Sequence, residues 1–138
     1  MNNATNTCLL QAANDDLAVH AIVANLHRAI QHRMDRDGQT HGCFSRAYIA
    51  EMFEVARTIG TDCRPYQADA EWIAARRAWL DAVLDDHADE RRDARLTAAR
   101  HAADGVVLDA CRLGRDAMQE AAGARLRDAL IAMTRPAH

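Results

Sequence analysis

The chain has 138 residues and a formal charge of −3, with four cysteines, six glycines and two prolines. All seventeen basic residues are arginine, Ser45 is the sole serine, and thirty residues are alanine. The missing lysine excludes a Schiff-base anchor, a P-loop lysine and a kinase-type lysine. The serine context Cys43-Phe44-Ser45-Arg46-Ala47 excludes a G-x-S-x-G nucleophile elbow.

One domain is expected at this length. The hydrophobic content of 49% overstates the core, because Leu, Ile, Val and Phe together number only 25 and alanine supplies most of the rest. Small side chains bury little area each, so the helices must pack closely, share a core with a partner, or both. A homodimer or another protein partner is the expectation. Residues 68–104 carry six arginines against nine acids, and residues 105–138 carry five against four. That balance offers no basic stripe, and nucleic acid is not expected as a partner. The first seven residues lack a basic n-region, no apolar run reaches membrane-spanning length, and the cysteines at 8, 43, 63 and 111 form no C-x-x-C pair. These features predict a cytoplasmic protein with reduced thiols and no membrane partner. Arginine without lysine, amid abundant alanine, fits a GC-rich bacterial gene.

In chain order, residues 1–14 read as a flexible arm and residues 15–135 as a single helical domain. Asp15 or Asp16 is placed to cap a first helix, whose apolar face is Val19, Ile22, Val23, Leu26, Ile30 and Met34. This helix should stop before Gly38. Ser45 is placed to cap a second helix with the stripe Tyr48, Ile49, Met52, Phe53, Ala56 and Ile59, ended by Gly60 and the loop 61–65. From 68 to 104 there is neither glycine nor proline. One helix there would run ~55 Å at 1.5 Å per residue, so a kink near 86–90 is favoured over a continuous helix. A last helix is expected over about 106–134, with rows Val106, Ala110, Leu113, Ala117 and Leu126, Leu130, Met133. No period-2 run survives, and the class is all-α: a bundle of four to five helices with antiparallel neighbours.

The most informative local feature is the helix carrying Trp72 and Trp79, seven residues apart and so on one face, with Arg76 between them. A guanidinium inside an aromatic stripe is costly in a closed core unless paired, and natural at an interface, where Trp and Arg anchor partners. Trp72, Arg76, Trp79, Leu80 and Val83 are therefore the candidate partner-binding face. The bland reading keeps both tryptophans in the core, with Arg76 paired to an acid.

A second reading, from a different class, is a metal- or redox-responsive sensor built on the loop 32–43. His32, His41 and Cys43, joined by one more group such as Cys63 across a dimer, are ligand types for an ion such as zinc. The loop with Gly38 at position 6 fails as an EF-hand, since Arg33 and Phe44 fall where acids belong. A third reading, an Arg/His-dependent ribonuclease, rests on the R-x(4–6)-H pairs Arg36/His41 and Arg95/His101. About two or three such pairs arise by chance at this composition, so the pattern carries no weight. The stretch 85–95, with eight charged residues in eleven, reads as a solvated helical face. Cys111 reads as a small hydrophobe. The leading expectation is a non-enzymatic protein-interaction module with no cofactor.

Overall fold

The computed structural model describes residues 3–38, 40–58, 70–113 and 120–136, with side chains over 19–38, 40–58, 72–112 and 122–136. The side chain of Cys8 lies outside those residues, as do Ile59, Gly60, Cys63 and the rest of the loop 61–65. Six helices and no strand occur among the described residues: α1 (Asn3–Asp37), α2 (Cys43–Thr58), α3 (Ala70–Asp85), α4 (Ala88–Arg92), α5 (Ala94–Leu113) and α6 (Glu120–Met133). The fold is an all-α helical bundle.

Helix α1 runs through Asp15 and Asp16 rather than starting there. Nothing between Asn3 and Asp37 interrupts it, since the segment holds neither Gly nor Pro and is rich in residues of good helix propensity. Leu26, Ile30 and Met34 are buried, on the face predicted from their 4-and-4 spacing. The helix ends at Gly38, whose φ of +81° is the left-handed conformation that closes many helix C-termini.

Helix α2 is the centre of the bundle and packs against α1, α5 and α6. Phe44, Tyr48 and Ile49 are fully buried on it, with Met52, Phe53 and Ala56 continuing the stripe. Burial of each large side chain stabilises the fold by roughly 1.5–3 kcal/mol. A chain with few such residues concentrates them here. Facing α2, α5 presents Ala99, Ala103, Val106, Val107 and Ala110. Alanines at the contact let the two helices approach closely, as the composition requires.

The described part of the predicted 68–104 stretch, residues 70–104, is divided among three helices. After α3 the chain tightens, with Asp86 N–H bonded to Val83 O and His87 N–H to Leu84 O, and it breaks again at the extended Asp93. Asp93 then caps α5, its side chain accepting from the backbone N–H groups of Arg95 and Leu96. The favoured break near 86–90 is present. The expected start of the last helix at 106 is not, because α5 runs straight through Gly105. Glycine in a helix costs about 1 kcal/mol but does not stop one. A Cβ at Gly105 would meet nothing within 4 Å. Gly105→Ala is therefore expected to stabilise the fold by roughly 0.5–1 kcal/mol, read as a higher urea midpoint with an unchanged m-value.

Candidate functional site

The loop between α1 and α2, the joint around α4 and the C-terminus of α6 converge on the first turn of α2. That turn needs acceptors for its free N–H groups. Ser45, read from sequence as the cap, is instead the third residue of the helix and lies inside the protein. The acceptor is Glu90, from a segment 45 residues away. Its carboxylate takes the Ser45 N–H at 2.9 Å and the Phe44 N–H at 3.1 Å. Glu90 is 1% exposed. The solvated face expected over 85–95 thus holds the most buried acid among the described residues, because the α3–α4 break turns it inward.

The Ser45 hydroxyl serves elsewhere, accepting a hydrogen bond from Arg100 at 2.7 Å. Burial pulls the Arg100 guanidinium below its ordinary pKa, and Glu90 is the largest of the opposing influences. Arg46, also buried, gathers the loop. It donates to Asp37 at 2.7 Å, to the backbone oxygens of His41 and Thr134, and to the Thr40 hydroxyl. The parts played by Glu90, Arg46 and Arg100 are not legible in the sequence. Each acts across a long separation, and nothing local separates Arg46 or Arg100 from the other fifteen arginines.

The aromatic face of α3 is turned into the bundle. Trp72 is buried, Trp79 and Leu80 are half-buried, and Val83 packs on the core. Trp79 stacks on Tyr48 with ring centroids 6.3 Å apart and donates its indole N–H to His27. Arg76 pairs with Asp104 and donates to the Tyr48 hydroxyl, while Tyr48 donates to the same Asp104. An arginine between two tryptophans thus meets its acid inside the fold, and the interface chemistry expected of it from sequence is occupied by intramolecular partners.

His32, His41 and Cys43 are not brought together. His32 is exposed on α1, while His41 lies in the loop with Asp89 at 2.8 Å and Asp93 at 3.3 Å. Cys43 points into the protein, where its sulfur, a His87 ring nitrogen and a Glu90 oxygen all lie within 4.8 Å of one another. His87 stacks on Phe44, with centroids 5.7 Å apart and planes 16° from parallel. Burial, then the Glu90 charge, pushes the Cys43 thiol up, against the pull of Arg46. Burial, then the Asp104 charge, also pushes the Tyr48 hydroxyl up. Both groups are held protonated, the opposite of what an activated nucleophile needs. Of the two R-x(4–6)-H pairs, Arg95 and His101 are exposed and about 120° apart around α5, and Arg36 is exposed on α1.

His41 gives the assembly a pH dependence. Its side-chain bonds to Asp89 and then Asp93 raise its pKa above the ordinary histidine value. The folded chain therefore holds this proton more tightly than the unfolded chain does. The stabilisation is fully present below about pH 6.5, the ordinary histidine value, and is lost as pH rises through the raised one. The unfolding free energy of wild type is expected to fall over that window by more than that of His41→Gln. The effect is small, because the pair is largely solvent-exposed.

No protein-family model matches the chain, and neither does any characterised protein or any solved structure. No helix among the described residues is long and apolar enough to cross a membrane. What the structure defines is the class: an all-α bundle whose buried polar side chains are tied to one another around the start of α2.

Proposed function

We propose that the protein is a small, cytoplasmic, non-enzymatic interaction module that associates with another protein, in the first instance a second copy of itself, through an apolar flank of α6. The supporting observation is a row at 4-3-4 spacing, Ala122, Leu126, Ala129 and Met133, that lies open to solvent. That spacing is the seam by which helices pack on one another. Leu130 faces inward beside it, so the row is the shoulder of the buried face. A chain so short of large apolar residues that leaves Leu126 and Met133 each about two-fifths exposed has reason to cover them. The Trp72, Arg76 and Trp79 face then serves the bundle, and contact with a partner passes to α6.

Sedimentation equilibrium of wild type beside a Leu126→Glu, Met133→Glu variant tests the reading. The expected result is a dimer in wild type and a monomer in the variant, with equal helical circular dichroism. A monomeric wild type, or a variant that dimerises as tightly, would overturn it.

A further inference from the structure

We propose that Cys43, His87 and Glu90 form a site for one divalent transition ion of the zinc class, with solvent completing the coordination. The three donors come from different places: the first residue of α2, the joint between α3 and α4, and α4 itself. They nevertheless present one sulfur, one nitrogen and one oxygen within 4.8 Å of one another, His87 Nδ1 standing 3.8 Å from Glu90 Oε2. Tetrahedral coordination with metal–ligand bonds of about 2.0–2.3 Å sets such donors roughly 3.3–3.6 Å apart, so the donors close by at most about 1.5 Å.

The surroundings fit the same ion. The Glu90 carboxylate is fixed by the Phe44 and Ser45 N–H groups, and the His87 ring by its stacking on Phe44. Supports of this kind orient the ligands of protein metal sites. Each Glu90 oxygen spends one lone pair on a backbone N–H and keeps another for the ion. A thiolate and a carboxylate together cancel a charge of +2, which allows the ion to sit in a buried pocket. The mixed sulfur, nitrogen and oxygen set favours zinc or cobalt over magnesium or calcium, which take oxygen. On binding, the sulfur–hydrogen bond breaks, its electron pair becomes the bond to the metal, and the proton leaves to buffer. His87 is a quarter exposed and gives both an entry path and a place for a water ligand. None of the three ligands lies on α6, so this site stands whether or not that flank binds a partner.

The test is titration of untagged, reduced full-length protein with Co²⁺, followed by displacement with Zn²⁺. The expected result is one Co²⁺ per chain, with the visible bands of a tetrahedral ion and the near-ultraviolet thiolate-to-cobalt absorption, together with proton release and a raised Tm. Cys43→Ser removes the thiolate absorption. His87→Gln weakens binding about tenfold or more, an effect of the size seen when the supports of metal sites are lost. His41→Gln leaves the titration as in wild type. A folded wild type that shows no thiolate-to-cobalt absorption would sink the proposal. So would a His87→Gln variant that binds as wild type does, and that variant decides the matter if Cys43→Ser does not fold.

Discussion

Gly42→Ala is expected to destabilise the protein by about 3–5 kcal/mol, a large share of the roughly 5–15 kcal/mol that hold a domain of this size together. Gly42 has a φ of +86°, which a residue with a Cβ adopts at a cost of about 1–3 kcal/mol. The second contribution is contact. A Cβ there would stand 2.5 Å from the backbone oxygen of Thr134 and 2.9 Å from Arg46 Nη1. The Thr134 oxygen is backbone and is itself held by Arg46, so it cannot swing aside as a flexible side chain would. Relieving the overlap means lifting the end of α6 off the start of α2, a repacking worth about 1–3 kcal/mol. Gly38 is the internal control. Its φ of +81° is similar, but a Cβ there meets nothing within 4 Å, so Gly38→Ala keeps only the backbone cost. Urea midpoints of the two variants should separate widely. Equal midpoints would mean that the contact with Thr134 contributes nothing.

Both glycines sit in a stretch whose role as a helix breaker is readable from Asp37-Gly38-Gln39-Thr40-His41-Gly42 alone. Their unequal importance is not, because it depends on Thr134, ninety-two positions beyond Gly42. The same division runs through the molecule. The buried stripes of α1 and α2 follow from spacing, since Leu26, Ile30, Met34 and the run from Tyr48 to Ala56 have only one way to share a face. Gly105 shows the limit of local rules, because packing of Ala103, Val106 and Val107 against α2 outweighs the modest preference of glycine to end a helix. Ser45 shows another limit. A serine before an apolar run reads as a cap, but here the capping oxygen belongs to Glu90, and no pattern in 85–95 distinguishes that acid from Asp86 or Asp89, which are exposed. A local signal exists at Asp93, an aspartate followed two and three residues later by the N–H groups it caps. Treating 85–95 as one charged face conceals it. The candidate metal ligands illustrate the point best: Cys43 is in the predicted loop, whereas its companions His87 and Glu90 reach it only because α3 stops and α4 turns.

Replacing Glu90 should cost about 3–5 kcal/mol when the substitute is alanine, because two buried N–H groups lose their acceptor while a buried guanidinium loses a nearby opposite charge. The Phe44 and Ser45 N–H groups lie in the first turn of α2, where no preceding helical carbonyl can take the carboxylate's place. Arg100, 5% exposed, loses the largest of the charges that offset its burial. Glu90→Gln keeps the shape and one acceptor oxygen, but its amide turns a donor towards one of the two N–H groups and removes the charge. Its cost should fall between that of wild type and that of alanine, at about 2–3 kcal/mol. A cycle with Arg100→Met separates the two contributions. If the charge on Arg100 matters, the double variant should be less destabilised than the sum of the singles, by about 0.5–3 kcal/mol. If only the helix cap matters, the costs should add. Either result is read from denaturant unfolding, and hydrogen exchange at the first turn of α2 locates it: loss of protection confined to that turn identifies the cap, whereas loss spread into α5 identifies the guanidinium left without its counter-charge.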